Sequence, residues 1–85
     1  MNQDKLNPLS NKPELFIDNN KYNWDHNTIT GAQIRELAGI PESAEIFQKV
    51  PGKPDREISD TTVVNLMDHS GPEHFSSQTP GSQAG

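Results

Sequence analysis

The sequence predicts an α+β fold: a mixed sheet with one short helix packed across one face. Three observations carry that prediction. "ELFIDNNKYNW" (14–24) has the form of a β-hairpin. A single, well-punctuated helix signal follows in "ITGAQIRELAGIP" (29–41). Several short β-prone segments then succeed one another, separated by Pro, Gly and Asp. A lone short helix is unstable by itself and needs a sheet to cover its apolar stripe.

In the hairpin, Leu15, Phe16 and Ile17 form a strand and Asp18-Asn19-Asn20 tolerate left-handed turn geometry. Tyr22 and Trp24 alternate on the return strand. An irregular loop around one strand is the alternative. Tyr22 and Trp24 are read as core packing in preference to an exposed contact patch.

Thr30 is a good helix N-cap, and Gln33 three residues on completes a capping box. Ile29 and Ile34 stand where a hydrophobic staple forms, and Ile34, Leu37 and Ala38 share one face. Gly39 suits the left-handed position that ends a helix, and Pro41 prevents its continuation.

"SAEIFQKV" (43–50) reads as a third strand, "PGKPD" (51–55) as a turn and "REISD" (56–60) as a short fourth strand. "TTVVNLMD" (61–68) is β-prone, with Val64 and Leu66 as candidates for one buried face, and "HSGP" (69–72) interrupts it. "EHFSS" (73–77) reads as a last short strand anchored by Phe75.

Composition bounds the function. The 85 residues allow one domain, and a hydrophobic share of 29% leaves part of the chain outside any core. Residues 1–13 read as a disordered arm, 14–77 as the folded domain and 78–85 as a flexible tail. A net charge of −5 argues against nucleic acid, whose counterions must be displaced by basic residues. No run approaches the roughly 20 apolar residues of a membrane span, and residues 1–13 lack the apolar stretch of a signal peptide. The chain has no cysteine. A cytoplasmic protein is expected.

Catalytic signals are weak. Of three histidines, His69 and His74 stand five apart with Asp68 and Glu73 beside them, but Gly71-Pro72 intervenes and no helical pair forms. Solvated loop histidines are expected, with no metal site. No serine occupies a nucleophile elbow, and "PGKPD" lacks the spacing of a phosphate loop. Asp18 and Asp25 are read as hairpin surface rather than as paired acids. No catalytic residue and no cofactor is assigned, and the chain is not expected to be an enzyme.

The ordered set of pieces resembles a known family. A hairpin, a crossing helix, further short strands and an extended tail are similar to the β-grasp fold of ubiquitin. More specifically, the chain resembles the bacterial multiubiquitin-type domain over about residues 15–77. The matching residues are Phe16, Asp18, Tyr22 and Trp24, then Thr30, Gly31 and Ile34. Pro51, Gly52, Asp55, Arg56, Ile58 and Asp60 follow, and Val64, Leu66 and Phe75 complete the set.

This resemblance implies a protein modifier. Its C-terminal carboxylate, on Gly85, would be activated with ATP by a ubiquitin-activating-enzyme-like protein. A conjugating-enzyme-like protein would pass it to amines of target proteins, and a JAB-type metalloprotease would mature or remove it. Residues 76–85 extend about 33 Å at ~3.3 Å per residue, enough to thread a narrow channel. Glycine at the end leaves the reacting carbonyl unobstructed. Ubiquitin-like modifiers commonly end Gly-Gly, whereas this chain ends Ala84-Gly85 and its tail is uncharged, so no acidic tail-binding groove is expected. Gly81 is a second, less favoured stopping point.

Two alternatives come from other classes. A sulfur carrier shares the fold and the adenylation step, but such carriers usually end close behind the domain. A non-covalent binding module would use a sheet face and leave the tail inert.

Overall fold

Leu15, Ile17, Ile29, Ile34 and Ile46 are the largest fully buried side chains, and the elements that carry them define the fold. The computed structural model describes residues 13–68 and 71–79. The N-terminal arm apart from Pro13, His69, and the tail from residue 80 onward, with Gly81 and Gly85, lie outside the described residues.

The described elements are β1 (Glu14–Ile17), β2 (Asn20–Asn23), β3 (Thr28–Thr30), α1 (Gly31–Ala38), β4 (Glu45–Gln48), β5 (Arg56–Ile58), β6 (Val63–Asn65) and β7 (Glu73–Gln78). Five of the strands form one sheet in the order β2-β1-β7-β4-β5. β7 runs parallel to β1 and antiparallel to β4; the β1–β2 and β4–β5 pairs are antiparallel. This is the mixed sheet of a ubiquitin-like β-grasp, with α1 supplying Ile34 to the core.

Local chemistry explains each element. Asp18 (φ 52) and Asn19 (φ 70) form a two-residue hairpin turn with both central residues left-handed, the geometry that matches strand twist. Val50-Pro51-Gly52-Lys53 closes by a bond from the Lys53 N–H to the Val50 carbonyl (3.0 Å), with Gly52 at φ 75. Pro followed by a left-handed Gly is the signature of a type II turn.

The helix is capped at both ends. Thr30 Oγ1 accepts the Gln33 N–H (3.2 Å), and Gln33 Oε1 accepts the Thr30 N–H (2.9 Å). Two more N–H groups of the first turn reach across to another segment. Gly31 donates to the Thr62 carbonyl and Ala32 to the Asp60 carbonyl, both at 3.1 Å. At the far end Gly39 (φ 68) turns the chain, and the Ile40 and Gly39 N–H groups donate back to the Arg35 and Glu36 carbonyls.

Arg35 ties the helix to its surroundings. Its Nη1 donates to the carbonyls of Pro41 (2.6 Å) and Ala44 (2.9 Å), while Nε and Nη2 both reach Asp60 Oδ1. Asp60 is half exposed, so the ion pair contributes little and the two carbonyl contacts carry the effect. Arg35→Ala is expected to cost about 2 kcal/mol in urea unfolding. Arg35→Lys should recover less than half of that, because an ammonium cannot fork to both partners.

Two elements depart from the sequence expectation. Ile29 belongs to a strand, β3, which pairs with β6 in a separate two-stranded sheet (Ile29↔Val64). The 61–68 segment therefore lies outside the main sheet, although Val64 and Leu66 are buried as anticipated. β7 is the centre of the main sheet and its longest described strand. It runs to Gln78, paired with Glu45, so residues 76–78 belong to the sheet and not to an extended tail. The reach available from Thr79 onward is correspondingly about 23 Å.

Candidate functional site

Gly85, the residue expected to react, lies beyond the described residues, so the part of the site that can be built is the strand leading to it. β7 has neighbours on both sides, and the two-residue strand period sorts its side chains. Glu73, Phe75 and Ser77 point to the helix side; His74, Ser76 and Gln78 point to the opposite face, which no described element covers and which is called the uncovered face below.

At the start of β7, Glu73 is buried and accepts a hydrogen bond from Gln48 Nε2 (3.1 Å). Arg56 Nη1 in turn donates to Gln48 Oε1 (3.2 Å), which gives a buried carboxylate a hydrogen-bonded route to a cation at the sheet edge. Arg56 therefore has a structural task in the polar end of the core.

At the other end, β1 turns away after Ile17, which pairs with Phe75. The Asp18 N–H still reaches the Phe75 carbonyl (2.9 Å). Beyond that point no β1 backbone remains to accept the Ser77 N–H. The Asp18 side chain takes over: Oδ1 accepts the Ser77 N–H at 2.8 Å and Oδ2 accepts the Ser77 hydroxyl at 2.6 Å. The end of β7 thus lies beside the hairpin turn.

The uncovered face carries aromatic surface. Phe16 of β1 and His74 of β7 are register partners, and their rings stack with centroids 4.8 Å apart and planes 4° from parallel. Phe47 of β4 lies opposite Ser76, also on this face, and is half-buried. Lys21 and Glu14 form an exposed ion pair at its β2 side (3.4 Å).

The remaining residues singled out from the sequence take up separate positions. Tyr22 and Trp24 pack against the core, and Trp24 Nε1 donates to the Thr28 carbonyl (2.9 Å). His26 meets Trp24 edge-on at 6.0 Å. Asp18 sits in the hairpin turn and Asp25 beyond the open end of β2, so the two carboxylates are at opposite ends of the hairpin. Among the described residues no group of three or more His, Cys, Asp or Glu side chains is arranged to hold a metal ion. No helix there is long and apolar enough to cross a membrane.

Sequence reasoning missed the Asp18–Ser77 contact and the Phe16–His74 stack. The alternation Leu15-Phe16-Ile17 carried a signal for the second, since three consecutive apolar residues in a strand must use both faces. No local signal exists for the first.

No curated protein and no solved structure gives a significant match. The Multiubiquitin family model matches residues 14–79, which runs from the first strand past the end of the last. With that match over most of its length and a β-grasp sheet beneath it, the chain belongs to the Multiubiquitin family and carries a ubiquitin-like domain.

Proposed function

We propose that the protein is a cytoplasmic ubiquitin-like modifier, attached to targets through the carboxylate of Gly85. The observation that supports this most directly is the placement of β7. The strand leading to the C-terminal segment is the central one, held by β1 and β4, so the segment is attached to the most firmly paired part of the sheet.

The chemistry belongs to partner enzymes. In an activating-enzyme-like protein the Gly85 carboxylate attacks the α-phosphate of ATP and pyrophosphate leaves, giving an acyl adenylate. An enzyme thiolate displaces AMP, and the resulting thioester passes to a conjugating-enzyme-like protein. A target amine then displaces the thiolate to form an amide, which a JAB-type metalloprotease would hydrolyse. This chain contributes the acyl group, a recognisable body and no cofactor. The uncovered sheet face with Phe16, Phe47 and His74 offers the partners apolar ground.

That same face favours a second reading, a non-covalent binding module. Peptide mass spectrometry on the native host separates the two. A Glu-specific protease cutting after Glu73 leaves the twelve residues His74–Gly85 on any modified side chain. Branched peptides carrying that remnant are the expected result. An abundant protein recovered only with a free C-terminal segment, including after the metalloprotease is inactivated, would favour the binding module. A sulfur-for-oxygen mass shift on the free segment would indicate a sulfur carrier instead.

A further inference from the structure

Asp18 is asked to do more than a hairpin turn requires. Gly or Asn would hold its left-handed backbone equally well. Its carboxylate, however, makes two short hydrogen bonds to a residue 59 positions away in sequence, at the root of the C-terminal segment. It does so where the backbone of β1 has departed, and so adds one more rung on that side of β7. On the other side Ser77 and Gln78 are both paired with β4, with Ile46 and Glu45 respectively.

From this we infer that Asp18 is a positioning residue for the C-terminal segment. Its carboxylate holds Ser77 on the β1 side of the sheet and so fixes the root from which the segment continues. The inference rests on the modifier reading, because a fixed root matters only if an enzyme must receive the segment. The more firmly the last residues of β7 are held, the less of the segment's root must be ordered when an enzyme receives it. Without the carboxylate, Ser76, Ser77 and Gln78 keep only their β4 partners Phe47, Ile46 and Glu45, and the order lost on the β1 side must be restored on binding.

The test uses the full-length chain and Asp18→Gly, which favours the turn and deletes only the carboxylate. Amide hydrogen exchange at Ser77 should rise at least tenfold, with Ile46 unchanged. In ATP-dependent activation by the host's activating-enzyme-like protein, followed as pyrophosphate release, KM should rise about tenfold at constant kcat. That factor corresponds to re-ordering roughly one residue. Asp18→Asn keeps an oxygen for the Ser77 N–H and should restore most of the loss. A purely structural role would instead lower Tm and apparent kcat together and leave KM alone.

Unchanged exchange at Ser77, or faster exchange with unchanged KM, overturns the inference while leaving the modifier reading in place. A native chain that is not activated at all overturns the modifier reading, and the positioning role falls with it.

Discussion

Gly31→Ala is expected to destabilise the domain by about 3–5 kcal/mol, although helix propensity alone would predict a gain of up to roughly 1 kcal/mol. A Cβ at position 31 would lie 2.0 Å from the Ser59 carbonyl oxygen, 2.8 Å from its carbon and 3.2 Å from Asp60 Cα. These are backbone atoms, so no rotamer change relieves the clash. The helix start would have to move off the 59–62 segment. That movement breaks the bonds from Gly31 to Thr62 and from Ala32 to Asp60, and leaves helix N–H groups unsatisfied next to the core. A domain of this size has about 3–10 kcal/mol of stability in all, so the change should remove a large part of it and move the urea midpoint well down. Urea unfolding followed by circular dichroism checks this. A variant as stable as the native chain would mean that the close approach of α1 to Ser59 does not exist in solution.

The same glycine shows what was legible in the sequence. Its place beside Thr30 was visible as part of a helix start, and the cap, the Gly39 stop and a hairpin turn within Asp18-Asn19-Asn20 were readable too, although Asn20 itself belongs to β2. Each of these is decided within four or five residues by capping and turn chemistry. Why position 31 must be glycine was not readable, since the obstacle comes from Ser59, in a segment that folds back later. The role of Asp18 toward Ser77 was hidden for the same reason, with 59 residues between donor and acceptor.

β7 illustrates a second kind of loss. "EHFSSQ" has one apolar residue, yet it is the central strand, because Glu73 is buried through Gln48 while Phe75 is buried by packing. Hydrophobic period alone ranks such a segment last. β3 was missed because its only buried residue, Ile29, also fits a hydrophobic staple. Of the candidate site, Gly85 was named from a resemblance, whereas the strand that carries it and the aromatic face beside it required the sheet to be seen.

The two phenylalanines at adjacent register positions should separate stability from recognition. Phe75 is on the helix side of β7, opposite Ile17, and is 4% exposed. Phe75→Ala leaves a cavity in the core cluster beside Ile17, and is expected to cost about 3–5 kcal/mol. Because β7 is bonded to both β1 and β4, that loss also loosens the root of the C-terminal segment. Phe16, one position earlier on β1, faces the other way and loses its stack on His74, worth about 1 kcal/mol. Phe16→Ala should therefore remain folded, with a urea midpoint close to native, yet bind partner proteins more weakly, as read by titration calorimetry against the activating-enzyme-like protein. If Phe16→Ala unfolds as readily as Phe75→Ala, that side of the sheet is part of the core and cannot be the docking face. If it folds and binds like the native chain, recognition lies elsewhere on the body. Only a folded variant with weakened binding assigns the uncovered face to partners, and it would do so without disturbing the strand that leads to Gly85.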